Sequence, residues 1–356
     1  MLEDLRTITS DKGLRTLLGI KRMPTADTVG KWLKRTGLQG VYALESVNHT
    51  LLKRYLKSIN EPLVLDMDAT IIESHKSIAM PMYKEFPGFT PMTGHVNGGY
   101  MIRSEFRPGN MAPADENLTF LKRCELQLPK ETKFTYVRAD SASYQHTLFN
   151  YCNKNNITYL IGAHLDVPTL QNIEQITTKW QPLDRHDGKY HHIKEEVGEF
   201  LYTMNHTDHA FRIIVVRRQV TPILPMMETF LDEEELLAYA SERYSVIATN
   251  AEDKDLTAQE VVRLYRQCGE TSENRIKALK GGFNLNYLPT SDFMANALHF
   301  RIGALAYNLF IMFKQTMKHS WQKTYGTDYS LQTLQHYRQS DHPCQKNHSE
   351  GQSGIR

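Results

Sequence analysis

Asp66 and Asp68 share one face of LVLDMDATII (63–72), a run that is otherwise among the most hydrophobic in the chain. An ionised carboxylate in such a place is costly unless something pairs with it. The compensation is a metal ion, an Arg or Lys partner, or a position at the exposed end of a strand. Two such residues, two apart, point to a site rather than to isolated salt bridges. Asp140 closes a second apolar strand, KFTYVRAD (133–140), just before Ser-Ala-Ser. Sheets of the α/β type place working groups at strand C-terminal edges, although Asp and Ser also cap helices; alone, Asp140 reads as a cap. Glu273 lies in TAQEVVRLYRQCGETSENRIKALK (257–280), with Ile276, Lys277 and Lys280 at i+3, i+4 and i+7 on one helical face. Alone, it reads as part of a solvated ion-pair face. Together the three acquire a chemistry. Two strand carboxylates and a later helix carboxylate can meet at one sheet edge and hold two Mg²⁺ ions, ~3.5–4 Å apart, that clamp the attacking and leaving oxygens of an in-line displacement. Hard Mg²⁺ suits carboxylates and substrate phosphate, not His or Cys.

The elements that must position these residues follow from periodicity. In LVLDMDATII, Leu63, Leu65, Met67, Ala69 and Ile71 face one way and Val64, Asp66, Asp68, Thr70 and Ile72 the other. Residues 83–110, rich in Gly, Pro and aromatics, predict two further strands. A helix over 114–124, a strand over 133–140, a helix over 144–154 and a strand over 157–165 complete a mixed α/β sheet. Between 166 and 250 come more strand-like runs, notably 211–220 and 244–250, around the polar, His-rich stretch DRHDGKYHHIKEE. Helices are expected over 257–280 and 293–317, and a polar tail beyond. Residues 1–60 read as helical. Pro24 and Thr25 open a helix with an apolar stripe of Val29, Trp32 and Leu33, and with Lys31, Lys34 and Arg35 on its other side. Its basic face fits the second half of a helix-turn-helix or, equally, an ordinary amphipathic helix packed on the domain.

Composition narrows the classes. A chain of 356 residues that is 40% hydrophobic and 23% charged is globular. Net charge is only +2, but residues 1–60 hold eleven Lys/Arg against five Asp/Glu, a basic end that suits a polyanionic partner or a solvated helical surface. Cys124, Cys152, Cys268 and Cys344 show no paired spacing, which argues against a zinc ribbon or disulfide framework and fits a reducing cytoplasm. His342, Cys344 and His348 read as a chance grouping. The acidic, polar N-terminus is no signal peptide. The most apolar run, Ile302 to Phe313, is interrupted by Asn308 and too short to span a bilayer, so it reads as a buried helix.

Over residues 20–317 the chain resembles insertion-sequence DNA transposases of the Asp-Asp-Glu type, which have a ribonuclease-H-like core. The resemblance is carried by LDMDAT, FPGFTP, FRPGN, YVRADS, ENRIKALKGGF and FMANALHFRIGALAYNLF, the last two being the most specific. The family's third carboxylate belongs to a Y-x2-R-x3-E-x6-K signature. Lys280 stands seven residues after Glu273, with Tyr265 and Arg266 upstream, but position 269 is Gly where Arg would fall. Glu270, with Arg266 four before and Lys277 seven after, satisfies the Arg-Glu-Lys part instead; the ENRIK context favours Glu273.

The resemblance implies a ribonuclease-H-like mixed sheet flanked by helices, with a β-rich insertion before the last catalytic helix. The implied divisions are a shortened helical DNA-binding region (1–60), a first core part (61–165), the insertion (166–250), a second core part (251–317) and a polar tail (318–356). It further implies two Mg²⁺ ions, replaceable by Mn²⁺, on Asp68, Asp140 and Glu273, and strand cleavage followed by strand transfer at the ends of a mobile element. The implied partners are double-stranded DNA, as terminal inverted repeats and target, and a second copy of the chain on that DNA, in the cytoplasm of a bacterial-type cell and away from membranes. Tyr265, Arg266, Arg275, Lys277 and Lys280 would touch this DNA, together with Lys31, Lys34 and Arg35, while Asp66 would support or orient. Two rivals stand beside this. LVLDMDATI also fits the strand start of haloacid-dehalogenase-like phosphatases, with Asp66 as nucleophile and Asp68 as acid/base, although DEEE at 232–235 does not supply their late acidic motif. The other rival is a DNA-binding transposase remnant that has lost cleavage.

Overall fold

The computed structural model describes residues 5–82, 84–176, 180–183, 194–218 and 243–316, without the side chains of 268–273. Two short helices, α1 (Leu5–Ser10) and α2 (Lys12–Leu17), precede a long one, α3 (Ala26–Ser58). Thr25 caps α3, its hydroxyl accepting from the Thr28 amide. The helix bends at Gly37, whose φ of 39° a side chain would strain. Beyond the bend Gly40 lets the helix lie against Leu298, since a Cβ there would come within 2.8 Å of that side chain. Leu33 is buried with Ala295 and Leu298, and Val29 packs beside them. Val29 and Leu33 of the apolar stripe thus pack on the domain, while Trp32 is exposed, as are Lys31, Lys34 and Arg35, Lys31 paired with Asp27 at 2.8 Å.

The chain then builds β1 (Val64–Ala69), β2 (Ile72–Glu73), β3 (Met80–Pro81), β4 (Pro87–Phe89), β5 (Met92–Val96) and β6 (Met101–Glu105). There follow α4 (Asn117–Glu125), β7 (Tyr136–Ala139), α5 (His146–Lys154), β8 (Thr158–Gly162) and α6 (Val167–Glu174). Next come β9 (Gln181–Pro182), β10 (Glu195–Tyr202), β11 (Phe211–Arg218) and β12 (Tyr244–Thr249). The last described helices are α7 (Ala258–Lys277), which runs into a π turn over Ala278–Gly282, and α8 (Phe293–Gln315).

Nine strands form one mixed sheet in the order β6-β5-β1-β7-β8-β12-β11-β10-β9. β1, β7 and β8 are parallel, joined through α4 and α5; β5 and β6 run antiparallel on one side. This half is the mixed sheet that the sequence pattern led us to expect, with the ribonuclease-H-like character that the resemblance implied. On the other side β12, β11, β10 and β9 continue the sheet in antiparallel fashion. The strands between 166 and 250 therefore extend the core sheet edge to edge.

One face of the sheet carries Leu65 and Met67 of β1, packed with Leu52 and Leu56 of α3, Phe120 and Leu121 of α4 and Phe149 of α5. Against the other lie α7, through Val261 and Val262, and α8, through Phe300, Ala304 and Tyr307. The alternation of β1 is as its sequence predicts: apolar residues to the main core, Asp66 and Asp68 to the α7–α8 side.

The structure differs from the sequence reading in three places. The run 63–72 is broken after Ala69, and its end joins β3 and β4 in a separate three-stranded sheet of order β2-β4-β3. Residues 83–110 consequently hold three strands, not two. β10 was hidden in an acidic run; its Glu195 and Glu196 are neutralised by Arg218 and Arg217, directly opposite on β11. The His-rich stretch at 184–193, DEEE at 232–235 and the tail from 317 lie outside the described residues.

Candidate active site

β1 and β7 pair in parallel, with Met67 opposite Ala139. Asp68 and Asp140 are the next residues on the two strands, so they leave the sheet side by side at its C-terminal edge, on the face that α7 and α8 cover. Neighbouring strands lie about 4.8 Å apart, which sets the two carboxylates close enough to feel each other's charge. Burial, and then the charge of Asp140, push the Asp68 carboxyl up to about 7, against the opposing pull of Lys280. Burial raises Asp140 too, although its side chain reaches solvent and its Oδ1 accepts from the Ala142 amide at 3.1 Å. Asp140 does cap the short turn Ser141–Ser143, so the capping and the site reading describe the same residue.

Lys280 stands in the π turn that follows α7, half-buried near Asp68. Burial lowers its ammonium, and Asp68 works in the opposite direction. Tyr265 comes to the same corner from the middle of α7. A Cβ on Gly162 would lie 2.7 Å from its hydroxyl oxygen and 3.0 Å from the Ser141 amide nitrogen. The bare Gly162, at the end of β8, is what allows the Tyr265 hydroxyl to approach the Asp140 turn.

Asp66 is a different case. It is 2% exposed. Its Oδ1 accepts from Arg138 Nε at 2.6 Å, and its Oδ2 from Arg138 Nη2 at 3.0 Å and Arg275 Nη1 at 2.8 Å. Burial alone would raise this carboxyl; the hydrogen bonds and charge of Arg138, then of Arg275, outweigh burial and hold it below its ordinary range. The phosphatase reading required Asp66 as an accessible nucleophile. A carboxylate so enclosed and so fully hydrogen-bonded cannot attack a substrate, and that reading fails.

The other expected DNA contacts have separate fates. Arg275 is held by Asp66. Arg266 makes a bidentate pair with buried Glu195 of β10, at 2.8 and 3.0 Å. Lys277 is exposed on the last turn of α7. Glu270 and Glu273 belong to α7, but their side chains lie outside the described residues. Among the described residues, no three His, Cys, Asp or Glu side chains converge as a metal site. The structure thus brings together Asp68, Asp140, Lys280 and Tyr265.

Sequence reasoning missed Arg138, Gly162 and His95. Arg138 had a readable signal, since it interrupts an apolar strand as Asp66 interrupts β1. His95 pairs with Asp66 across β1 and β5. It is fully buried and pushed down to about 3, first by burial and then by the charge of Arg275, so it is neutral. Neither ring nitrogen has a hydrogen-bond partner among the described residues.

No curated protein matches the chain. A family model does: the one described as transposase DDE domain group 1, over residues 1–336. With the mixed sheet and the two juxtaposed strand carboxylates in view, the chain belongs to the DDE-type transposase family.

Proposed function

We propose that this protein cuts and joins DNA strands at the ends of a mobile element, using divalent metal held by Asp68, Asp140 and Glu273. The supporting observation is the Asp68–Asp140 pair: two adjacent carboxylates in which burial, and then the charge of Asp140, raise the proton affinity of Asp68. A divalent cation would relieve that repulsion, and two hard oxygen donors suit Mg²⁺ or Mn²⁺. When bound, such a metal supplies Lewis acidity at the scissile phosphate.

The residues of the chain do the positioning. Asp68 and Asp140 anchor from the sheet. Glu273 is preferred over Glu270 on helical spacing, because it lies seven residues before Lys280, which sits beside Asp68, whereas Glu270 lies seven before the exposed Lys277. Lys280 offers a cation to a backbone phosphate beside the reacting bond. Tyr265 lines the Asp140 side. Lys277 and the exposed Lys31, Lys34 and Arg35 hold DNA further out. Arg275 and Arg266 brace α7 against the sheet, a role their ion pairs favour over the phosphate contact expected from sequence.

The test is Mg²⁺-dependent nicking of DNA carrying the inverted repeats that flank the gene. Asp68→Asn and Asp140→Asn should each lower cleavage at least a hundredfold while DNA binding by gel shift persists. Cleavage by Asp68→Asn at the parental rate would remove the assignment. A parent that binds the repeats but does not nick them would make this chain a binding remnant.

A further inference from the structure

Asp66 touches more of the site's framework than any carboxylate meant only to fill a strand would need to. It sits two residues from Asp68 on β1. Through Arg138 it holds β7, the strand that ends in Asp140. Through Arg275 it holds the C-terminal end of α7, the helix that carries Glu273. Arg138 makes a second tie of its own, donating from Nη1 to the Leu264 carbonyl of α7 at 2.6 Å. The two ties to α7, at 264 and 275, bracket the segment that contains Tyr265, Glu270 and Glu273. Asp66, His95 and Arg138 are all buried, with Tyr307 of α8 edge-on to His95. In such a setting charged hydrogen bonds are short, directional and hard to exchange for water.

We propose that Asp66, acting through Arg138 and Arg275, is a positioning residue that fixes the distance of the Glu273 segment of α7 from the Asp68–Asp140 pair, and thereby sets metal affinity. This rests on the proposed metal-dependent reading of the site. A brace of this kind acts like the outer partners of metal ligands, whose loss weakens metal binding about 10–100-fold.

Asp66→Asn strips two arginines of a buried partner at once and risks unfolding, so the test uses Arg275→Gln, which leaves the Asp66–Arg138 pair intact, with Arg275→Lys as the conservative rescue. Two measurements are made on the full chain. In the metal-free protein, amide hydrogen exchange over residues 265–277 should quicken about tenfold in Arg275→Gln, with β1 and β7 unchanged. By calorimetry, Mn²⁺ should bind the same variant about tenfold more weakly, and Arg275→Lys should recover most of both effects. Nicking by Arg275→Gln should approach the parental rate at saturating Mn²⁺, giving a raised metal requirement with little loss of turnover. Parental exchange and parental Mn²⁺ affinity in Arg275→Gln would overturn the brace even if Asp68→Asn abolishes nicking. If Asp68→Asn nicks normally, the metal reading itself fails, and the exchange data still decide whether α7 is held in this way.

Discussion

Asp68 keeps its proton more tightly in the folded protein than in the unfolded chain, where its carboxyl titrates near 3.8 rather than about 7. The sign of the consequence is set by linkage: the folded state binds more protons across that window, so metal-free stability falls as pH rises from about 4 to about 7 and stays lower above it. Every tenfold gain in proton affinity is worth about 1.4 kcal/mol, and partial exposure and solvent screening reduce the total to about 1–2 kcal/mol. Asp68→Asn removes the ionisation. In chelator at pH 8 it should be more stable than the parent by that amount in urea unfolding, with the difference closing near pH 4. An equal or lower stability at pH 8 would mean that burial and Asp140 do not disfavour the Asp68 carboxylate. Asp66 shows the opposite arrangement on the same strand face, where two guanidinium groups more than compensate for burial.

At the scale of elements, the edge strand β6 is sealed by side chains rather than by another strand. The Asn308 amide donates to the Met101 carbonyl at 2.8 Å, and its Oδ1 accepts from the Met101 amide at 2.8 Å. Asn48 of α3 reaches the Met101 and Ile102 carbonyls, and the two asparagines are themselves linked at 2.6 Å. An open edge would invite pairing with another chain. This explains the polar residue inside the most apolar helix, and no helix among the described residues is long and apolar enough to cross a membrane. Asn308→Leu improves the hydrophobicity of α8 yet takes the Asn308 partner from the buried Met101 amide and from Asn48 Oδ1, each worth about 1–3 kcal/mol. We expect a loss of about 2–4 kcal/mol, read as a lower urea midpoint; a stabilised variant would show that the seal is dispensable.

Across the whole molecule, α7 ties the two halves of the sheet together. Its N-terminal part, opened by the Thr257–Glu260 capping box, packs Val261 and Val262 on β8, β11 and β12, and its end reaches β1 through Arg275. A continuous sheet with a shared helix should unfold as one cooperative unit. Trp180, stacked under Arg217 in the extension, and Trp32 of α3, at the far side, provide probes. In variants that keep only Trp180 or only Trp32 of the chain's three tryptophans, fluorescence transitions in urea should coincide with each other and with loss of helical signal. Separate midpoints would show that the β9–β12 extension is an independent unit.

What the amino-acid order determined by itself is local. The period of β1 put Asp66 and Asp68 on one face, Thr25 marked the start of α3, and the apolar ends of β1 and β7 located Asp68 and Asp140, because alternation, capping and strand edges depend on neighbours within a few residues. Tertiary structure decided which charge meets which. Asp66 finds partners 72 and 209 residues away, the glutamates of β10 find theirs only when β11 folds back, and Gly162 matters only once Tyr265 arrives over it. Such pairings need the chain to close long loops and a dry interior in which one geometry outweighs hydration, and neither condition is written in a stretch of adjacent residues.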